Sequence, residues 1–238
     1  MVTCGPARGS GMRLHLLIDA DDTLWENNLY FEQAFAEFVD YLDHSTLSPA
    51  DIRAVLDEIE RVNNKLHGYG SINFARNLRQ CYLRLAEREI RPEDLDKAVS
   101  FGERLLDHPL EIIEGVEETL RYLGERHDLI LFTKGHPEEQ KLKLDRSGLG
   151  GYFHHTAVVK EKDAEAYRKL ASNLSLDPGR TWMIGNSPRS DVNPALDAGL
   201  NAVFIPHAHT WTLEREEIQR ADGRLLVLRS FPELRDHF

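Results

Sequence analysis

Cysteine is nearly missing from this chain: 238 residues hold two, Cys4 and Cys81. That scarcity argues against a disulfide framework and against a cysteine-based metal centre, which needs clustered ligands. No apolar run exceeds the length of a strand, so nothing reads as a membrane span and no membrane partner is expected. Positive charge is also in deficit, with 29 Lys and Arg against 40 Asp and Glu, a formal net charge of -11. The basic residues are scattered among acids without forming a patch, which disfavours a nucleic-acid partner. Internal repeats and low-complexity segments are absent as well. Residues 1–11 contain Gly5, Pro6, Gly9 and Gly11 but lack the apolar stretch of a secretory signal. They read as a disordered extension or a tag, with Met12 as a candidate natural start and the cytoplasm as the expected compartment.

What is present is an ordinary globular composition, 41% hydrophobic and 29% charged, in a chain long enough for one α/β domain carrying an insertion. Leu14 to Ile18 is a short apolar run that ends abruptly at acids, the pattern of a buried strand opening into a site. From about Asn27 to Leu106 the period becomes helical. Phe31, Phe35, Phe38 and Leu42 share one face. Ser48-Pro49 followed by Asp51 marks a helix start, and Ile52, Val55, Leu56, Ile59 and Val62 then form a stripe. Phe74, Leu78 and Cys81 predict a third helix, and Pro92 through Leu106 a fourth. These stripes suit the inside of a small bundle.

Beyond His108-Pro109 strands and helices alternate. Leu129–Phe132, Thr156–Val159, Trp182–Ile184, Ala202–Ile205 and Leu225–Leu228 are strand candidates. Helices are expected over Val116–Gly124, Glu138–Arg146 and Ala164–Asn173. The alternation implies right-handed crossovers and a covered parallel sheet. The predicted fold is therefore α/β, a parallel Rossmann-like core of residues 12–26 and 108–238 with a helical bundle, 27–107, inserted after the first strand.

Three polar clusters succeed apolar strands: Asp19-Ala20-Asp21-Asp22-Thr23, Thr133-Lys134-Gly135, and Gly185 to Asp191. In open parallel sheets the ligand crevice lies at the carboxyl ends of the strands, so the three should converge. Asp19 and Asp21 crowd one strand end, and like charges so close ionise together only with a cation nearby. Adding Asp191 gives a set of hard oxygen ligands suited to magnesium. A lone aspartate after a strand would be read as a helix cap or a turn residue; the set of three clusters is not accounted for that way.

Ile18-Asp19-Ala20-Asp21-Asp22-Thr23-Leu24 resembles the first motif of the haloacid dehalogenase superfamily. Thr133 matches the second motif, and Gly185 to Asp191 is similar to the acidic fourth. The resemblance spans Leu14 to His207, and the insertion lies where that family places one type of cap. The third motif, a lysine, has two candidates, Lys162 and Lys160, of which Lys162 is preferred because it precedes a helix-like stretch. The resemblance implies that Asp19 attacks phosphorus to form an aspartyl-phosphate and that Asp21 serves as acid and then base. Thr133 would bind the transferring group and Lys162 would offset its charge. Asp19, the Asp21 carbonyl, Asp191 and Asn186 would hold Mg2+; Asn186 stands where the family often has aspartate, which removes one negative charge.

The substrate so implied is a small phosphorylated metabolite. Lys134 and Gly135 beside Thr133 are expected to contact substrate, and specificity is expected from the insertion, where Lys65, His67, Tyr69, Asn73 and Arg76 form a polar cluster that either reaches over the site or is an exposed interhelical turn. Trp25 and Glu26 at the cap entrance either line the pocket or pack the hinge. His136, Arg189, His207 and His209 lie near strand ends, and His207-Ala208-His209 lacks a third partner for zinc. A 2-haloacid dehalogenase, a phosphomutase and a non-catalytic phosphate binder are the rival readings, and the oligomeric state is left open.

Overall fold

The computed structural model describes residues 13–218 and 223–238; the extension expected over 1–11 lies outside them. Among the described residues the chain forms one six-stranded sheet and eight α-helices. The strands are β1 (His15–Ile18), β2 (Asp128–Lys134), β3 (His155–Val159), β4 (Thr181–Gly185), β5 (Asn201–Phe204) and β6 (Leu225–Val227). Their order is β3-β2-β1-β4-β5-β6, and every pairing is parallel. β1 is central, with Ile18 opposite both Leu131 and Ile184.

The central strands are short unbroken apolar runs because both of their faces are covered. Leu16, Ile18, Leu129 and Leu131 pack one way, against Val116, Leu120 and Leu123 of α5 (Val116–Gly124). Leu17, Ile130, Phe132 and Met183 point the other way, onto Tyr167 and Ala171 of α7 (Ala164–Asn173). This alternation within one strand is the pleat made visible. Toward the edge the cover thins, and Val227 of β6 is exposed.

The chain leaves the sheet after β1 and builds α1 (Asn28–Leu42), α2 (Pro49–His67), α3 (Ser71–Leu85) and α4 (Pro92–Glu103). Phe35, Phe38, Ile52, Leu56, Phe74, Leu78, Cys81, Tyr82 and Phe101 form a core of their own. α2 starts as its sequence suggests: Ser48 Oγ accepts from the Asp51 amide at 3.2 Å, and Asp51 returns the bond to the Ser48 amide at 2.9 Å. Val62 corrects the expected stripe, being 57% exposed. At 3.6 residues per turn it falls about 100° from the centre of the buried face. The fourth helix also ends sooner than expected, at Glu103, and continues only as a tight turn over Arg104–Asp107.

The two crossings between sheet and bundle run side by side. The Glu26 amide donates to the Glu111 carbonyl at 2.9 Å, and the Ile113 amide to that of Leu24 at 3.0 Å. Two more helices, α6 (Pro137–Ser147) and α8 (Asn193–Asp197), come after β2 and β4. No helix among the described residues is long and apolar enough to cross a membrane.

Candidate active site

β1 ends at Asp19, whose backbone amide still donates to the β4 carbonyl of Ile184 at 2.9 Å. The side chain is thereby fixed at the carboxyl edge of the sheet. Lys162 arrives from the loop after β3. Its Nζ donates to Asp19 Oδ1 at 2.5 Å and to Asp191 Oδ1 at 2.7 Å, with all three groups buried. Both carboxylates therefore touch one ammonium. Asp163, next in sequence, accepts from the Ala166 amide at 2.8 Å and starts α7, which sets where Lys162 emerges. Lys160, the other candidate, is exposed.

Asp191 lies in a single π-type turn, Pro188–Val192, a local geometry often found at functional positions. Its Oδ2 accepts from the Ser187 amide at 2.9 Å. Gly185 makes room for it, since a Cβ there would sit 2.2 Å from Asp191 Oδ2. Thr23 Oγ1 donates to Asp19 Oδ2 at 3.1 Å, with Asn186 Oδ1 at 3.4 Å. Asn186 Nδ2 donates to Thr210 Oγ1 at 3.0 Å, which leaves its amide oxygen turned toward the Asp19 side.

Burial, reinforced by Asp191, pushes the Asp19 carboxyl up to about 7 even though Lys162 opposes the shift. Asp21 goes the other way. Burial alone would raise it, but Lys143, Gln140 and Trp25 hold it below the ordinary carboxylate value. Lys143 Nζ lies 2.9 and 3.1 Å from its two oxygens; Gln140 Nε2 and Trp25 Nε1 each donate at 2.7 Å. Two aspartates two residues apart thus have environments that drive their titrations in opposite directions, a pattern associated with divided acid–base roles.

A cavity of about 140 Å³ opens here between the sheet edge and the helical unit. Asp19, Asp21, Thr133, Lys134, Gly135, Lys162, Asn186, Asp191 and Tyr69 all line it. Two expected substrate contacts are corrected. Trp25 is fully buried in the sheet's own core and reaches the site only through Asp21, so it packs the hinge. Arg76 is exposed, on the side of α3 turned away from buried Leu78, and does not line the cavity. Lys65 and His67 are exposed too, and Asn73 Nδ2 donates to Asn64 Oδ1 and the Gly68 carbonyl at 2.8 and 2.6 Å.

The helical unit is tied to the sheet at the cavity rim. Tyr69 donates its hydroxyl to Glu161 at 2.7 Å while its ring lies 4.3 Å from Lys134 Nζ. Glu139 of α6 accepts from the Ser71 amide at 3.0 Å and hydroxyl at 2.8 Å, and so caps α3 from across the cleft. Lys134 pairs with buried Glu214 and donates to Ser190 Oγ at 2.9 Å, while Ser187 Oγ donates to Glu214 at 2.5 Å.

Sequence reasoning did not single out Gln140, Lys143, Glu139 or Glu214. A signal existed for the first three: α6 is almost wholly polar, yet it comes after a buried strand, so some of its polar side chains had to face inward. Glu214 sits in an irregular segment with no periodicity to mark it. Among the described residues, Asp22, Glu26 and His207 are the acid–histidine group whose ligand atoms all lie within 4.8 Å of one another. Asp22 Oδ1 already accepts from the Asn27 and Asn28 amides at 2.9 Å each, so this group fastens the hinge to the loop after β5.

A model of the haloacid dehalogenase-like hydrolases matches residues 15–199. The glyceraldehyde 3-phosphate phosphatase of Pyrococcus furiosus is 24% identical over 225 residues, 92% of this chain and 90% of that one. A haloacid dehalogenase-like hydrolase from Xanthomonas campestris superposes with a TM-score of 0.81 at 28% identity, covering 94% of each chain. The L-2-haloacid dehalogenase of Xanthobacter autotrophicus shares the fold at a TM-score of 0.62 and 15% identity, over 94% of this chain and 98% of that one. With the lysine-bridged aspartates at the sheet edge, these matches make the chain an enzyme that belongs to the haloacid dehalogenase-like hydrolases.

Proposed function

We propose that the protein is a cytoplasmic, magnesium-dependent phosphomonoesterase acting on a small phosphorylated metabolite through an aspartyl-phosphate on Asp19. The observation that carries this reading is the charge imbalance around the nucleophile. Eight acidic side chains and four basic ones, among the described residues, line one small cavity. A phosphate dianion entering such a site needs further positive charge. The donor set fits Mg2+: the carboxylates of Asp19 and Asp191, the Asn186 amide oxygen and the Asp21 carbonyl are hard oxygens. The ion would neutralise charge on the transferring group.

Within this proposal Asp19 forms the bond to phosphorus as the substrate oxygen leaves, and water later cleaves the acyl phosphate. Lys162 holds the nucleophilic carboxylate in place and offsets its charge. Thr133 and the Gly135 backbone position the phosphoryl oxygens. Asp21 is ionised in its contacts with Lys143, Gln140 and Trp25. An adjacent phosphate dianion raises its pKa by like-charge repulsion, so it takes up the proton that it passes to the leaving oxygen. Residues 27–107 act as a cap that closes over the core of 12–26 and 108–238. The name of the Pyrococcus relative points toward sugar-type phosphates.

The rival within the family is 2-haloacid dehalogenation, which needs the carboxylate nucleophile but no acid for the departing halide. The environment built around Asp21 favours the phosphatase. A screen of phosphate monoesters and 2-haloacids, with Mg2+ or EDTA and with Asp19→Asn as the blank, decides between them. Mg2+-dependent phosphate release that the blank lacks is expected; halide release insensitive to EDTA would overturn the proposal.

A further inference from the structure

The cavity has a second wall that phosphoryl transfer does not use. The helical unit supplies it, through Phe31 of α1, Arg53, Glu60 and Asn64 of α2, and Phe74 and Asn77 of α3. Glu60 is the unusual member. It is 5% exposed, and its Oε2 has no hydrogen-bond partner among the described residues. A buried oxygen left so is unfavourable, and such an atom in a cavity wall points to a ligand. Burial pushes the Glu60 carboxyl up to about 8 against the opposing influence of Arg53.

Arg53 offers this wall no spare positive charge. Its Nη2 is 2.5 Å from Glu32 Oε2, and its guanidinium lies 3.6 Å from the centre of the Phe35 ring. The two asparagines are held in fixed orientations, Asn64 Oδ1 by Asn73 and Asn77 Oδ1 by Asn63, each at 2.8 Å. What remains is one unpartnered carboxyl oxygen, on Glu60, beside two oriented amides and two phenyl rings, with each cation that lines this wall among the described residues already paired with an acid.

We propose that this wall is the subsite for an uncharged, polyhydroxylated leaving group, with Glu60 accepting a hydrogen bond from one of its hydroxyls. The inference rests on the phosphatase reading above and narrows its substrate to phosphate esters of small sugars and polyols. Size sets a limit: the cavity of about 140 Å³, near the roughly 150 Å³ that holds benzene, must take the phosphoryl group as well, so the leaving group is short and a nucleoside is excluded. Chemistry agrees as well. A second anionic group on the substrate would find no unpaired cation here, and C–H faces of a carbon chain suit Phe31 and Phe74.

The test compares kcat/KM with Mg2+ for glycerol 3-phosphate and ribose 5-phosphate against phosphoglycolate, O-phosphoethanolamine, AMP and p-nitrophenyl phosphate. The better hydroxylated ester should exceed the phosphoglycolate, phosphoethanolamine and AMP values about tenfold or more. In Glu60→Ala the ratio of that ester to p-nitrophenyl phosphate should fall about tenfold, mostly through KM, and Glu60→Gln, which keeps an acceptor, should restore most of it. Should Glu60→Ala fail to fold, Glu60→Met fills the volume without a hydrogen-bonding oxygen and gives the same reading. An unchanged ratio, or preference for phosphoglycolate, phosphoethanolamine or AMP, overturns the subsite and leaves the phosphatase standing. Phosphate release from none of the esters overturns the phosphatase instead. Calorimetric titration of ribose 5-phosphate onto Asp19→Asn protein then reads the subsite alone: affinity that Glu60→Met weakens tenfold supports it, and no binding overturns it.

Discussion

Replacing Asp19 by asparagine should stabilise the metal-free protein at alkaline pH while abolishing its turnover. The substitution keeps the shape of the side chain and removes its titration. In the fold, burial and Asp191 place the Asp19 carboxyl at about 7 against an ordinary value of 3.8. Because the folded-state value is the higher one, the carboxyl's favourable contribution is complete below about pH 4 and is lost as pH rises through 7. That upward displacement costs the metal-free fold on the order of a few kcal/mol, expressed above the folded-state value. For a chain of this size 1 kcal/mol moves Tm by about 2–4 °C, so the variant should melt several degrees above the wild type at pH 8. Near pH 4 the two should coincide. Thermal denaturation in EDTA across pH 4–8 measures this, and adding Mg2+ at pH 8 should return most of the lost stability to the wild type alone. A Tm difference that does not change with pH would refute the reasoning.

Lys162→Met leaves Asp19 and Asp191 facing each other without their shared ammonium. Urea denaturation at pH 7.5 should show a loss of about 3–5 kcal/mol, and kcat should drop at least about a hundredfold. Lys143→Met removes the ammonium that holds both oxygens of Asp21. The alkaline limb of the kcat/KM profile should then move to higher pH, because the carboxyl that donates to the leaving oxygen loses its strongest counter to burial and holds its proton longer, as pH–rate measurements would reveal. Gly102→Ala tests the packing of α4 on α3, where an added Cβ would lie 2.6 Å from the Ala75 backbone; overpacking should lower unfolding free energy by about 1–3 kcal/mol in a denaturant titration.

The sheet is legible in the sequence wherever a strand is buried on both faces. Leu16 to Ile18, Leu129 to Phe132 and Met183 to Ile184 contrast sharply with the polar residues that succeed them, and that contrast also exposes Asp19, Thr133 and Asp191. Period alone places the four helices of the insertion, since Phe35, Phe38, Leu56 and Phe74 have to share an interior. Period cannot tell which outside face meets another unit. Arg76 stands near Tyr69 in sequence, yet helical geometry turns it outward. Glu60, inside the same stretch, is hidden because a glutamate on α2 resembles any other surface acid until the cavity is closed around it. Gln140 and Lys143 are hidden likewise: their partner Asp21 is more than a hundred residues away in the chain, and only the fold brings them together. Trp25 looks like a pocket residue beside the motif but is core, its indole N–H satisfied by Asp21.

The claim beneath all of this is that Asp19 carries the phosphoryl group during turnover. Acid quenching during steady-state hydrolysis of a phosphate monoester with Mg2+, then borohydride reduction and peptide mass spectrometry, tests it directly. Reduction of an acyl phosphate should convert residue 19 to homoserine, in wild type and not without substrate. Homoserine at a different aspartate, or none while phosphate is being released, would contradict it.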